Sequence, residues 1–219
     1  MTLPTPALAV HHLGVSQSER IVWLCEELGV PYELKLYERD PVTRAGPPEY
    51  KALHAVGTAP IITDGEVVLP ETGAIMEYII GKYGQGRLAV GPEAANFADY
   101  LFWFHFANAS MMPRQSGLMR AQPAQGAEES PRAKFMRLRA EAAWELIEGR
   151  LGEADYFAGS EFTAADIIMV FTLTTMRAFV PHDLSDSPNT LAYLQRIAAR
   201  PAYQRAMAKG DPGMAPMLT

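Results

Sequence analysis

Three short groups of residues carry types and spacings that can do chemistry. The first is Ser16-Gln17-Ser18-Glu19-Arg20, directly ahead of a stretch with helical spacing. A hydroxyl at a helix N-terminus can hydrogen-bond a thiolate, and the helix dipole also favours the anion. A free thiol, with a pKa of roughly 8.5, is mostly protonated at neutral pH, so such help would make a nucleophile. Ser16 and Glu19 are also spaced as a capping box, in which the serine satisfies backbone donors only. Spacing does not separate the two roles.

The second group is Val56-Gly57-Thr58-Ala59-Pro60-Ile61. A proline ahead of a strand cannot donate to the sheet. A cis Ala59–Pro60 bond would turn the Ala59 backbone outward, where its N–H and C=O can pair with an extended peptide ligand. An ordinary trans turn proline is the alternative. The third group is Glu71-Thr72-Gly73-Ala74-Ile75. The first N–H groups of a helix have no intrahelical partner and make an anion site. Thr72 at such a terminus can hold a carboxylate, and Glu71 offers a partner for an ammonium, which suits an α-amino acid end. A helix cap beside a solvated acid has the same sequence.

The elements that must position these groups follow from patterning. Ala7 to His11 reads as a short strand. Ile21 to Leu28 is helical and stops at Gly29, with Pro31 beyond. Residues 32–37 alternate as a half-exposed strand does. Residues 61–63 and 67–69 form a hairpin about Asp64-Gly65, a favoured turn pair. Residues 72–83 are helical up to Gly84. The order β-α-β, an irregular stretch, then β-β-α suits a small mixed sheet packed with helices. Residues 84–92, Gly-rich and closed by Pro92, are the natural linker. From residue 93 onward no strand is expected. Helices are predicted over 94–112, ended by Pro113, and over 131–151, 164–179, 188–199 and 201–209, with a surface loop or frayed ends over 113–131.

The joint order of the three groups is far more specific than any one. With Trp23-Leu24-Cys25-Glu26-Glu27-Leu28-Gly29-Val30-Pro31-Tyr32-Glu33, the chain resembles the soluble glutathione S-transferase family, of a bacterial-like serine type. The resemblance is sharp over residues 8–83 and weaker beyond. It implies an α/β thioredoxin-like N-terminal domain that binds glutathione (1–83), a linker (84–92) and an all-α C-terminal domain with a second-substrate site (93–219). It implies that Ser16 activates the glutathione thiol. Thr58, Ala59 and Pro60 would meet the cysteinyl part, and Glu71 and Thr72 the γ-glutamyl end. Arg39 is the candidate for the glycine carboxylate, with Arg44 and Lys51 also near. Phe102, His105, Phe106, Ser110 and Met112, on the long helix, are candidates for holding a small hydrophobic electrophile, with core or dimer packing as the alternative. A homodimer is also implied. Gly73, and Gly14-Val15 ahead of Ser16, depart from commoner residue choices and bear on subclass.

Phe162-Thr163-Ala164-Ala165-Asp166-Ile167 resembles the family's buried capping motif and reads as structural. His11 and His12 fall in or just after the first strand, and no ligand set supports a metal, so glutathione as co-substrate is the only cofactor expected. Conjugation is the leading activity. Glutathione-dependent peroxidase, isomerase or dehalogenase chemistry, or a non-catalytic glutathione-binding module, are the alternatives. A thiol oxidoreductase needs a cysteine at the first helix start, where Ser16 and Ser18 stand, and Cys25 falls further in.

Bulk composition agrees. The 219 residues carry 19 Lys plus Arg against 25 Asp plus Glu, a formal charge of −6, which disfavours nucleic acid. No apolar run approaches the roughly 18 residues of a membrane span. One cysteine rules out an intramolecular disulfide framework. With no signal-like segment at residues 1–10, a cytoplasmic location is expected.

Overall fold

The computed structural model describes residues 7–121 and 128–219. Four strands form one mixed sheet in the order β2-β1-β3-β4. The strands are β1 (Leu8–Leu13), β2 (Glu33–Tyr37), β3 (Ile61–Asp64) and β4 (Val67–Pro70). β1 runs parallel to β2, and β3 is antiparallel to both β1 and β4. Every residue of β1 is buried, as the inner strand of a sheet covered by helices should be. The edge strand β2 is half exposed.

The parallel β1–β2 pair requires a crossover, supplied by α1 (Glu19–Leu28). Its residues Ile21, Val22, Leu24 and Cys25 are fully buried. Gly29 ends it in the left-handed region at φ 63°, donating its N–H to the Cys25 carbonyl. The hairpin closes differently from the expected Asp64-Gly65 turn. Asp64 pairs with Val67, so the loop residues are Gly65 and Glu66. Gly65, at φ 60°, supplies the positive φ that a type II′ turn needs at its first position. Asp64 is thereby free to tie β3 to α3 (Thr72–Lys82). One of its oxygens accepts from Lys82 Nζ (2.6 Å), Tyr83 (2.7 Å) and Tyr78 (2.8 Å).

The irregular stretch before β3 holds one short helix, α2 (Pro48–Lys51). Its Tyr50 is buried with Leu13 and Ile61, and Ala59 packs against this cluster.

The remaining helices are α4 (Phe97–Phe106), α5 (Met112–Ala121), α6 (Pro131–Glu153), α7 (Ala164–Leu173), α8 (Pro188–Ala198) and α9 (Pro201–Gly210). Pro113 does not end a helix as expected. Residues 107–111 widen into a π-helical turn, and α5 continues from Met112. The wider turn accommodates a proline that lacks an N–H and crowds the preceding turn. Much of the loop expected over 113–131 is therefore helix, while residues 122–127 lie outside those described. The expected 164–179 helix stops at Leu173, and a tight helical turn spans Thr175–Ala178.

Two compact units result. One comprises Met1–Ala89 with Ala198–Pro216, and the other Val90–Ile197 with Met217–Thr219. α9 thus belongs to the unit of the sheet. Trp23 of α1 meets Tyr203 of α9 edge-on, with ring centroids 4.9 Å apart. Glu27 takes a forked pair from Arg200 at 2.7 and 2.8 Å. Glu26 accepts from Arg205 (2.9 Å) and Lys209 (2.6 Å).

In the other unit, Asp166 is fully buried at the start of α7 and completes the expected capping box with Thr163. Its carboxylate accepts from the N–H groups of Thr163 (2.8 Å) and Phe157 (2.9 Å), and from the Tyr193 hydroxyl (3.2 Å).

Candidate glutathione site

Register brings the three sequence groups to one end of the sheet. Ile61 pairs with His11 on one side and Pro70 on the other. The loop after β1, the segment before β3 and the start of α3 after β4 therefore open at the same edge. The first carries Ser16, the second Thr58-Ala59-Pro60, and the third Glu71-Thr72.

The Ala59–Pro60 peptide is cis. Pro60 is buried, while Ala59 is half-buried and Thr58 exposed just ahead of the strand ladder. Glu71 is exposed and stands at φ 77°, ψ 119°, immediately before α3. A non-glycine residue there costs of order 1–3 kcal/mol and is held by its surroundings. α3 thus begins at this sheet end, and the first N–H groups of a helix have no intrahelical partner.

Thr72 is buried, and its hydroxyl donates to Gln17 Oε1 at 3.3 Å. The same Gln17 oxygen accepts from Arg20 Nη1 at 2.9 Å. Gln17 therefore ties the start of α3 to the loop that carries Ser16. Burial works against the charge of Arg20, and Glu19 beside it works in favour.

Ser16 keeps part of the expected cap, its carbonyl accepting the Glu19 N–H at 3.1 Å. The helix begins at Glu19, with Ser18 as the residue before it. Ser16 Oγ lies 2.7 Å from Ser18 Oγ and accepts the Ser18 N–H at 3.3 Å. Ser18 itself makes no side-chain cap. Its Oγ is 3.0 Å from His12 Nδ1, and His12 Nε2 is 3.1 Å from Asp211 Oδ2. The other Asp211 oxygen accepts the Val15 N–H at 2.8 Å.

Arg39 also holds this loop. Its guanidinium donates to the carbonyls of Gly14 (2.7 Å), Val15 (3.3 Å) and Arg44 (2.8 Å). Burial, then the charge of Arg44, lowers its pKa. A cleft of about 340 Å³ opens here, lined by His12, Gly14, Val15, Tyr37, Arg39, Arg44 and Asp211 among others. Lys51, the third basic candidate, is exposed on α2.

Cys25 is fully buried inside α1, and that burial, with Glu26 adding to it, pushes its thiol well up from the ordinary range. It is no nucleophile in this fold. Among the described residues, no group of three or more His, Cys, Asp or Glu is placed to hold a metal ion.

The electrophile candidates lie on α4 and the turn after it. Phe102 is about half exposed, with its ring 5.4 Å from that of Phe106. Phe106 is buried beneath the Arg114 guanidinium, 5.6 Å from the ring centre. His105 is exposed and Ser110 half-buried. Met112 packs on Phe171, Met176 and Val180, in the core of the helical unit.

Comparison with known proteins decides the family. The glutathione S-transferase N-terminal domain matches residues 8–81, and the C-terminal domain of the same family matches residues 108–201. The chain belongs to the glutathione S-transferase family. Glutathione S-transferase 3 of Schizosaccharomyces pombe is 32% identical, over 92% of this chain and 87% of its own. Glutathione S-transferase GstB of Escherichia coli is 25% identical over 86% and 91%. A crystal structure of a glutathione S-transferase from Actinobacillus pleuropneumoniae superposes with a TM-score of 0.84 at 29% identity, covering 96% and 98%. The fold is also that of the transferase URE2P8 from Phanerochaete chrysosporium, solved with oxidized glutathione, at a TM-score of 0.76 and 21% identity over 96% and 98%. The family match makes this chain a glutathione S-transferase with a thioredoxin-like first domain. The residues that link Ser16 to Asp211 carried no local signal of a role. His12 falls at the end of the first strand, Ser18 within the Ser16–Arg20 group, and Asp211 beyond the last predicted helix.

Proposed function

We propose that this transferase ionises the thiol of glutathione beside Ser16 and joins the thiolate to a small hydrophobic electrophile. One observation carries the reading: the Ser16 hydroxyl, 2.7 Å from Ser18 Oγ at the entry to α1, sits at the sheet end shared by the cis Ala59–Pro60 bond and the start of α3. Thr58, Ala59 and Pro60 face the cysteinyl backbone. The N-terminus of α3, with Thr72, takes the γ-glutamyl carboxylate, and exposed Glu71 takes its ammonium. Arg39 meets the glycine carboxylate, with Arg44 and Lys51 as the neighbouring cations. Residues 1–83 supply the glutathione site and residues 93–219, beyond the 84–92 linker, the electrophile site. Phe102, His105, Phe106, Ser110 and Met112 are its residues. The protein works in the cytoplasm as a homodimer, in detoxification of electrophiles.

The test is turnover of a generic aromatic halide at saturating glutathione. Ser16→Ala should lower kcat by roughly 10- to 100-fold, the worth of one charge-assisted hydrogen bond, and leave glutathione binding largely intact. Full activity in Ser16→Ala would remove Ser16 from the chemistry. A screen of peroxides, isomerisable double bonds and haloalkanes separates conjugation from the other reactions of a bound thiolate. Binding without turnover of any of them would leave a glutathione-binding module.

A further inference from the structure

A serine directly before a helix is among the best N-caps, because its oxygen can accept a first-turn N–H. Ser18 stands before α1 but already has helical angles, φ −67° and ψ −18°, and its side chain makes no such bond. Its hydroxyl is turned away, 3.0 Å from His12 Nδ1 and 2.7 Å from Ser16 Oγ. His12 in turn reaches Asp211 at 3.1 Å. Ser16, Ser18, His12 and Asp211 thus form an unbroken chain of hydrogen bonds, exposed by only 6%, 0%, 0% and 8%. The buried Ser18 hydroxyl is thus committed to two side chains, one of them ionisable.

We propose that Ser18, His12 and Asp211 form a proton relay that takes the glutathione thiol proton from Ser16 and holds it on His12. The inference rests on the reading of Ser16 as the partner of that thiol. Ser18, His12 and Asp211 are positioning residues, since only Ser16 touches the substrate.

The valences of the chain permit two complete hydrogen-bond patterns. In the first, Ser16 O–H donates to Ser18 Oγ, Ser18 O–H donates to His12 Nδ1, and His12 Nε2–H donates to Asp211. Ser18 Oγ has one more acceptor position, filled by the Leu13 N–H at 3.2 Å. Ser16 Oγ accepts the Ser18 N–H at 3.3 Å and offers its remaining lone pair to a thiol S–H. In the second pattern every hydroxyl is reversed. The thiol proton has moved to Ser16 Oγ, the Ser16 proton to Ser18 Oγ, and the Ser18 proton to His12 Nδ1. One S–H bond has broken and one N–H bond has formed. The thiolate now accepts from Ser16 O–H, and the imidazolium faces the Asp211 carboxylate. The backbone N–H groups of Leu13 and Ser18 keep their partners in both patterns. The Leu13 carbonyl, 3.4 Å from Ser18 Oγ, is the longer alternative for that hydroxyl.

Charge favours the second pattern only if Asp211 is ionised. Burial works against its carboxylate, but the bond from His12, the Val15 N–H and the nearby Arg39 charge hold it below the usual carboxyl range. Among the described residues, Arg39, Arg44 and Glu38 line the cleft that His12 and Asp211 share, so these are the charged groups that face the network there. Without the relay, a Ser16 that donates to thiolate must draw the Ser18 hydroxyl toward itself and leave His12 Nδ1 without a proton to accept, a loss in a buried site. When sulfur bonds to the electrophile, the stored proton returns along the same chain to the product or to water.

Two measurements on the whole protein test this. Far-ultraviolet difference absorbance reports thiolate formed when glutathione binds. Calorimetry in buffers of different protonation enthalpy reports protons released. In the wild type, thiolate formed should exceed protons released, because His12 retains them. In His12→Asn, which keeps an acceptor for Ser18 but takes no proton, bound thiolate at neutral pH should fall about tenfold or more, one pKa unit. Any thiolate left should be matched by proton release. Asp211→Asn, which keeps an oxygen for the Val15 N–H, should do the same should His12→Asn fail to fold. A wild type that releases one proton per thiolate overturns the relay. So do His12 and Asp211 variants with wild-type thiolate and proton counts while Ser16→Ala loses its thiolate. If Ser16→Ala itself keeps the thiolate, the reading of Ser16 is what fails.

Discussion

The Asp211 carboxylate accepts the backbone N–H of Val15 at 2.8 Å, although 196 residues of chain separate them. Val15 stands at φ 52°, unusual for a β-branched side chain, and one residue ahead of Ser16. Arg39 grips the carbonyls on the same stretch. The loop is thus held by two side chains in a conformation that Val15 disfavours. Asp211→Ala leaves the Val15 N–H and His12 unsatisfied in a buried site. It should lower stability by about 1–3 kcal/mol in denaturant unfolding. It should also speed amide exchange in residues 14–18 more than in the strands.

Glu71 pays for its position in backbone strain. Replacing it by glycine, which tolerates φ 77° without a Cβ, should raise stability by up to about 1 kcal/mol. Glutathione affinity should fall at the same time, because the carboxylate that meets the ammonium is gone. A variant that is less stable, or binds as tightly, would count against the assignment.

Asp166 makes stability depend on pH. Complete burial pushes its carboxyl up to about 6, although Phe157 N–H, Thr163 and Tyr193 all donate to it. The folded protein therefore holds this proton where an unfolded aspartate, near about 3.9, has lost it. Stability from this group is fully present below about pH 4, falls as pH rises to about 6, and is level above. Comparing wild type with Asp166→Asn by denaturant unfolding from pH 4 to pH 8 isolates the slope. Asp166→Ala should cost about 2–4 kcal/mol, since it empties a buried network.

Cys25 should be silent in the native state. A thiol reagent should label it only at the rate of opening of α1, and rapidly once denaturant unfolds the chain. Cys25→Ala should keep kcat within about twofold, because the thiol is outside the chemistry. Fast native labelling with loss of a reductase activity would revive the oxidoreductase alternative.

What the sequence made legible follows from how locally each feature is encoded. The β-α-β and β-β-α orders, Gly29 as a helix end and the Thr163–Asp166 box all depend on neighbours within a few residues. So does the joint pattern of Ser16, Ala59-Pro60 and Glu71-Thr72. The hairpin turn was off by one residue because Asp-Gly and Gly-Glu both allow a tight loop, and cross-strand register decided between them. Pro113 misled because its usual effect was absorbed by the widened turn before it. Ser16 and Glu19 have the spacing of a cap, and the structure keeps part of it, since Ser16 accepts the Glu19 N–H on its carbonyl and the Ser18 N–H on its hydroxyl. The His12–Asp211 pair has no local signature, since α9 returns to the sheet unit after the helical segment.

That return makes the sheet unit discontinuous in the chain. Residues 90–197 are, in connectivity, an insertion between α3 and α9. Docking α9 on α1 closes a loop whose entropy cost depends on whether the inserted segment is folded or loose. A folded insertion presents α9 at short range, while a molten one lengthens the tether and favours release. Any substitution that loosens the helical unit therefore weakens the hold of α9, and with it the grip of Asp211 on Val15. On this view the chain order of the two units is itself a determinant of how firmly the Ser16 loop is held.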